Sequence, residues 1–189
     1  MQKKIEIIDG KEIHIIDDIF SVAEIEAFYE YVNSLSFRKR EKSLSYDEFP
    51  IFSTDFIPAT FETETFIGKK SREILNQINS AGKDYEMCRS YINLCAYGDV
   101  EYPHFDCDPD QSDITVLYYV NKFWDYKYGG ETIFYENKQS RLAILPTPGR
   151  IVIFPGNIEH MGTIPTRICK LSRYSLAMKF RKKKNHDKN

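Results

Sequence analysis

The chain has 189 residues, enough for one domain with a full hydrophobic core, so it needs neither disulfides nor a structural metal merely to fold. Its 26 Lys and Arg against 28 Asp and Glu leave a net charge of −2, which argues against a protein that coats nucleic acid or a membrane surface. Aromatic residues make up 14% of the chain, pointing to β-structure with large core side chains. No apolar run approaches the roughly 18 residues of a transmembrane helix.

The N-terminal segment MQKKIEIIDGKEIHIIDD is broken by charges and lacks the apolar stretch and cleavage site of a signal peptide, so a cytoplasmic location is expected. Residues 5–9 and 12–16 alternate and are rich in Ile, predicting two strands. Asp18 and Ser21 offer caps for a helix over 22–35, where Val22, Ile25, Phe28, Tyr29 and Val32 recur at helical spacing. Residues 36–64, with Pro50 and Pro58, read as irregular strands and loops. Their aromatics Tyr46, Phe49, Phe52, Phe56 and Phe61 suit either a core or the entrance to a site. A second helix over 65–80 places Phe66, Ile67, Ile74, Leu75 and Ile78 on one stripe, and the segment ends at Ala81-Gly82.

After Gly82 the pattern changes to short strands separated by turn signals, at 86–96, 101–106, 113–120, 130–135, 141–145, 150–154, 160–164 and 171–180. So many short strands predict a sandwich or jelly roll, with the N-terminal helices packed on one sheet. The fold class is therefore mainly β with flanking helices (α+β). One domain spans 1–180, divided into a helical and stranded buttress at 1–84 and a jelly-roll core at 85–180. Residues 181–189, RKKKNHDKN, read as a basic flexible tail. Residues 179–189 hold six basic groups and one acid, which leaves residues 1–178 near −7. Cys88, Cys95, Cys107 and Cys169 form no CxxC pair and no zinc spacing, and read as reduced, half-buried hydrophobes.

The first chemical signal is His104-Phe105-Asp106. On a strand, residues i and i+2 face the same way, so the imidazole and the carboxylate can hold adjacent positions on one divalent ion. The pattern by itself also fits a surface strand with two polar residues. His160 follows 54 residues after Asp106, behind the apolar run Ile151-Val152-Ile153-Phe154 and the turn Pro155-Gly156. Two histidines and a carboxylate make a facial triad, which leaves the open positions that a non-haem Fe(II) oxygenase requires. His14 and His186, in the charged N-terminal segment and the tail, read as bystanders.

Oxygen activation at such a triad needs two electrons, which a 2-oxoacid supplies by oxidative decarboxylation. The far carboxylate of that acid calls for a fixed cation. Arg173 starts the alternating run RYSLAMKF, in which Arg173, Ser175 and Ala177 share one face and Tyr174, Leu176, Met178 and Phe180 the other. An arginine turned inward is costly unless a carboxylate pairs with it. A surface arginine on an edge strand is the plainer alternative, and Arg167 and Lys170 in the looser 165–170 connection are rivals.

Several motifs stand in order along the chain: Tyr97-Gly98, Tyr102-Pro103-His104-Phe105-Asp106, Thr115 to Asn121, Gly129-Gly130-Glu131-Thr132, Gly149 to Pro155, His160 and Arg173-Tyr174-Ser175. With them the sequence resembles the Fe(II)/2-oxoglutarate-dependent oxygenases, prolyl 4-hydroxylase-like branch, over about 85–180. The stretch LYYVNKFWDYKYGG is similar to the oxygen-sensing prolyl hydroxylases. The resemblance implies a double-stranded β-helix, or cupin-like jelly roll, with His104, Asp106 and His160 as iron ligands. It implies Arg173 as the partner of the C5 carboxylate of 2-oxoglutarate, with Tyr119 hydrogen-bonding that carboxylate. Tyr97 matches a tyrosine near the iron end, Thr132 an inward position beside the cofactor, and Ser175 completes an Arg-x-Ser pattern.

The implied activity is a dioxygenase that uses Fe(II), 2-oxoglutarate and O2, with ascorbate in support. It would hydroxylate an unactivated C–H bond, a prolyl residue of a peptide or protein, and release succinate and CO2. Hydroxylation of a free amino acid or small metabolite is the nearest alternative. A cupin-like zinc or manganese enzyme that does not use 2-oxoglutarate, or a non-catalytic binding module, are the others. Two departures stand out. The turn between Tyr97 and His104 is shorter than in the oxygen sensors, and residues 43–66 match no substrate loop. Asp106 sets the chain apart from halogenating relatives, which lack this carboxylate.

Overall fold

A computed structural model describes residues 1–183. In chain order the elements are β1 (Gln2–Ile8), β2 (Lys11–Asp17), α1 (Val22–Asn33), β3 (Arg38–Glu41), β4 (Ile51–Phe56), α2 (Pro58–Glu64) and α3 (Phe66–Ile78). There follow β5 (Tyr85–Cys95), β6 (Ile114–Tyr119), β7 (Thr132–Glu136), β8 (Gln139–Ile144), β9 (Ile151–Pro155), β10 (His160–Gly162) and β11 (Arg173–Lys182). An eight-stranded sheet in the order β1-β2-β9-β6-β11-β5-β4-β3 faces a three-stranded sheet, β10-β7-β8. The strand pairs are antiparallel, and the two sheets form the jelly roll that the strand pattern predicts. Among the described residues no helix is long and apolar enough to cross a membrane.

Period-two alternation gives the large sheet two different faces. On β11, Tyr174, Leu176, Met178 and Phe180 join Val116 and Tyr118 of β6 and Ile151 and Ile153 of β9 in one apolar cluster. Phe28 and Val32 of α1 and Ile67, Ile74 and Leu75 of α3 cover that cluster, so the helices do pack on one sheet. The opposite face turns toward the small sheet, where Tyr119, Val152 and Phe154 meet Phe134 and Ile144. Burying an aliphatic or aromatic side chain in either cluster contributes about 1.5–3 kcal/mol.

Local signals account for most boundaries. Ser21 caps α1 through a capping box, its Oγ accepting from the Glu24 N–H while the Glu24 carboxylate accepts from the Ser21 N–H. Three expectations change. Residues 58–64, within the stretch expected as irregular strands and loops, form α2: Pro58 presets the first turn, and Phe61 is buried with its ring 4.9 Å from Phe56. Residues 101–106 are not a strand. Pro103 has no N–H to give to a ladder, and the segment makes a single bridge at His104. The expected tail begins too early, because Arg181 and Lys182 continue β11 opposite Glu86 and Tyr85. Residues 184–189, including His186, lie outside the described residues.

The aromatics of the 36–64 segment divide. Phe56 and Phe61 pack inward, while Tyr46 (79% exposed), Phe49 and Phe52 face solvent. The cysteines are free, with Cys95 and Cys169 buried.

Candidate active site

His104, Asp106 and His160 converge although no regular strand holds the first two. The His104 N–H donates to the His160 carbonyl at 2.9 Å, and the His160 N–H donates back to the His104 carbonyl at 3.0 Å. This reciprocal pair seats the two histidines side by side, with ring centroids 4.6 Å apart and the ring planes tilted by 51°. The Asp106 N–H donates to the Gly156 carbonyl at 2.8 Å, so the turn after β9 holds the third residue. His104 Nε2 lies 3.6 Å from Asp106 Oδ1 and His160 Nε2 lies 3.4 Å from Asp106 Oδ2. One ligand atom from each of the three falls within 4.8 Å of the others.

The donor chemistry fits a divalent ion. The Nδ1–H groups of His104 and His160 donate to the Tyr102 and Ile158 carbonyls, each at 2.9 Å, which leaves the Nε2 atoms turned toward Asp106. Burial pushes the His160 imidazole down to about 4, with His104 and Lys179 acting in the same sense against Asp106, so it is a neutral ligand at pH 7. His104 moves the other way, because the hydrogen bond and charge of Asp106 outweigh burial. Burial opposes the Asp106 carboxylate, but Lys179, His160 and His104 hold its pKa well below the usual carboxylate range. Thr115 adds an Oγ–H donor to Asp106 Oδ2 at 2.6 Å.

An inner chamber opens from the triad between the sheets, lined by Leu117, Phe154 and Ala177 and closed by Arg173. Arg173 is 2% exposed at the start of β11. Its Nε donates to the Gly130 carbonyl at 2.6 Å, and its Nη groups donate to Ser175 Oγ and Thr132 Oγ1 at 3.2 Å each. All three acceptors are neutral, and among the described residues no carboxylate lies within ion-pair distance of it. Two glycines make room. Gly130 has φ +77°, and a Cβ there would come 3.0 Å from Arg173 Cδ. A Cβ on Gly162 would come 2.8 Å from Glu101 Oε2 and 3.5 Å from Arg173 Nη1.

Tyr119 is fully buried and donates its hydroxyl to Thr132 Oγ1 at 2.8 Å, with the Arg173 guanidinium 5.7 Å from its ring centre. Arg173, Tyr119, Thr132 and Ser175 thus form one connected polar cluster. Tyr97 does not join it. β5 ends at Cys95, and the turn that follows, closed by Ala96 and Asp99 with Gly98 at φ +97°, leaves Tyr97 60% exposed. The rivals Arg167 and Lys170 are exposed. His14 is buried in β2 beside Glu12, away from the triad.

Sequence reasoning missed three residues of the site. Lys179 continues the Arg173-Ser175-Ala177 face by one more alternation, and its ammonium contacts Asp106 Oδ2. Thr115 could have been found from the same parity on β6. Glu101 had no sequence signal. Its carboxylate reaches into the inner chamber and accepts from the Cys95 thiol at 2.6 Å, and burial raises its pKa against the pull of Arg173.

A jelly roll that brings a His-Asp-His donor set to the mouth of a chamber ending in an unpaired arginine has the architecture of an Fe(II)/2-oxoacid oxygenase. Residues 92–181 match the family model of the 2OG-Fe(II) oxygenase superfamily. That segment belongs to the superfamily, and the chain is an enzyme of this type whose donor set fits Fe(II), with 2-oxoglutarate and O2 as cosubstrates.

Solved structures agree on the fold. A prolyl hydroxylase from Trichoplax adhaerens, in complex with a hypoxia inducible factor peptide fragment, is similar with a TM-score of 0.68 at 17% identity, covering 90% of this chain and 83% of its own. A Pseudomonas putida prolyl-4-hydroxylase is similar with a TM-score of 0.65 at 16% identity, covering 89% and 92%. The 2-oxoglutarate complex of a viral collagen prolyl hydroxylase from Paramecium Bursaria Chlorella virus-1 has a TM-score of 0.64 at 22% identity, covering 93% and 99%. A sequence search of curated proteins gave no match.

Proposed function

We propose that the chain hydroxylates an unactivated C–H bond of a prolyl residue in a peptide or protein, converting 2-oxoglutarate to succinate and CO2. The observation that carries the cosubstrate part is Arg173. It is a buried guanidinium with only neutral acceptors, at the closed end of a chamber whose mouth is the triad. A ligand with a carboxylate at each end satisfies both.

His104, Asp106 and His160 hold the iron. Iron in such a triad, with 2-oxoglutarate as electron donor, supplies the oxidising power for a C–H bond. The protein's own part is orientation and shelter. Arg173 fixes the far carboxylate, and Thr132, Ser175 and Tyr119 fix Arg173 in turn. Leu117, Phe154 and Ala177 supply the apolar part of a chamber wall that is otherwise polar. The two carbonyl-bound Nδ1–H groups keep both imidazoles in the metal-binding tautomer.

The prolyl part is supported by the shared fold and by the peptide held by the Trichoplax adhaerens enzyme. Ascorbate as a supporting reductant and a cytoplasmic setting belong to the same reading. The test is succinate formation with Fe(II), ascorbate and 2-oxoglutarate, with mass spectrometry of proline-containing peptides for gain of one oxygen atom. Turnover that depends on such a peptide supports the assignment. A protein that neither binds nor consumes 2-oxoglutarate refutes it and points to a cupin-like or binding role.

A further inference from the structure

The triad stands between two chambers. The inner one ends at Arg173; an outer one of about 250 Å³ lies on the other side. Tyr91, His104, Thr115 and Lys179 line both, so they form the shared wall. Lys179 supplies the charge of that wall. It lies opposite Thr115 on β6 and Arg89 on β5, with its side chain 15% exposed.

The Lys179 ammonium contacts Asp106 Oδ2 and donates to Thr115 Oγ1 at 3.3 Å. An ammonium has three donors, so one N–H has no protein acceptor among the described residues. The other cations of the outer chamber are differently placed. Arg89 is bound to Glu41 through two N–H groups, at 3.1 and 2.6 Å, and stacks 3.8 Å over the Tyr91 ring. Arg181 pairs with Asp113 at 3.3 Å, and Lys42 is exposed at the rim. Lys179 alone among these four has a metal ligand as its carboxylate partner.

Charge balance in the working enzyme then leaves Lys179 short. A divalent ion draws on the Asp106 carboxylate, and the two negative charges of 2-oxoglutarate are matched by that ion and by Arg173. Glu101, the other carboxylate of the inner chamber, is taken up by the Cys95 thiol and the pull of Arg173 and His104 and not by Lys179. A buried ammonium left without a dedicated anion is costly, and the outer chamber is where an anion can enter. The anion must also sit close to the reacting carbon, because Lys179 touches a metal ligand. A carboxylate on the reacting residue itself meets that requirement, and a distant acidic side chain does not.

We infer that Lys179 is the specificity residue of the outer chamber and receives the free α-carboxylate of the substrate, which is a free amino acid or the C-terminal residue of a peptide. The inference rests on the oxygenase reading above and narrows its prolyl substrate to one with an unblocked carboxylate.

The test uses the full chain loaded with Mn(II), which binds such sites without turnover, and calorimetry with chosen probes. 2-Oxoglutarate is titrated first, then acetyl-glycyl-proline, its C-terminal amide and free L-proline. The acid is expected to bind about tenfold or more tighter than the amide. Lys179→Met should bring acid and amide to the same affinity, and Lys179→Arg should keep the preference. Binding of L-proline as tight as the acetylated dipeptide identifies the free amino acid as source; weaker binding identifies a peptide C-terminus. Equal binding of acid and amide by the unaltered protein overturns the inference and needs no variant. So does a Lys179→Met protein that binds Mn(II) poorly yet keeps the preference, which would make Lys179 only a support for Asp106. No binding of 2-oxoglutarate refutes the oxygenase reading and the inference with it, whereas 2-oxoglutarate binding without acid preference refutes the inference alone.

Discussion

Replacing Arg173 with Gln separates the folding role of this residue from its ligand role. In the free protein the guanidinium meets only neutral acceptors, the Gly130 carbonyl at 2.6 Å and the Thr132 and Ser175 hydroxyls at 3.2 Å. Its charge therefore gives the empty fold no ion pair, and the unliganded Arg173→Gln protein should fold. Binding is different, because hydrogen bonds to a charged group contribute about 1.5–3 kcal/mol each. A loss of about 2–3 kcal/mol weakens 2-oxoglutarate by roughly 30–150-fold. The assay is thermal unfolding with Mn(II), with and without 2-oxoglutarate at a hundred times the wild-type Kd. Linkage gives the wild type about 2.7 kcal/mol of ligand stabilisation, and a hundredfold weaker variant about 0.4 kcal/mol. For a domain of this size that is a rise in Tm of about 5–11 °C shrinking to about 1–2 °C. A parallel rise in the 2-oxoglutarate KM should appear in the succinate assay. A variant that keeps the full ligand-induced rise would refute the assignment of Arg173 and with it the two-ended recognition of the cosubstrate.

Asp106→Ala should abolish metal-dependent succinate formation and also destabilise the metal-free protein by about 3–5 kcal/mol, because it strands the Lys179 ammonium. Denaturant titration should show Asp106→Ala/Lys179→Met recovering the stability without the activity; an active Asp106→Ala enzyme would sink the triad. Gly130→Ala places a Cβ at φ +77° and 3.0 Å from Arg173 Cδ, so a cost of about 1–2 kcal/mol and a raised 2-oxoglutarate KM are expected. An unchanged KM would contradict the packing of Arg173 on Gly130.

The metal-free protein should also lose stability in acid. Burial lowers His160 to about 4 and lowers His14 as well, so the unfolded chain takes up protons below about pH 6.5 that the native chain refuses. Their stabilisation is complete above that pH and falls away as pH drops toward about 4, at roughly 1.4 kcal/mol per unit for His160. His104, raised despite its burial, acts in the window above pH 6.5 instead. Denaturant midpoints that stay flat from pH 7 to pH 5 would contradict the burial of both imidazoles.

Much of the site can be read from residue order because strands have a two-residue period. The run from Arg173 to Phe180 separates an apolar face from a polar one, and the structure buries both as that alternation requires. Thr115, Leu117 and Tyr119 follow the same rule on β6. The rule fails where the backbone is not a strand. His104 and Asp106 were matched to one face of a strand that does not form, yet they converge through hydrogen bonds to His160 and Gly156, more than 45 residues away. Tyr97 fails for the converse reason, since the turn closed by Ala96 and Asp99 points it to solvent. α2 was hidden because its seven residues carry one buried side chain, Phe61, too few for a helical stripe.

Residue types and spacing pointed to the jelly roll and the helices that cover it, and, with the resemblance, to His104, Asp106 and His160 as candidate ligands and Arg173 as the cation that faces them. Those features depend on local periodicity and on a donor set of fixed chemistry, and both are written along the chain. Tertiary structure decided which charges share a wall. Lys179 touches Asp106 because β11 sets Lys179 opposite Thr115 of β6, which itself donates to Asp106, so residues 73 positions apart in sequence stand side by side in space. Glu101 enters the inner chamber because Gly162 has no side chain to exclude it. Contacts between side chains on different strands are set by register and by the space that neighbours leave, and neither quantity is a property of a short stretch of sequence.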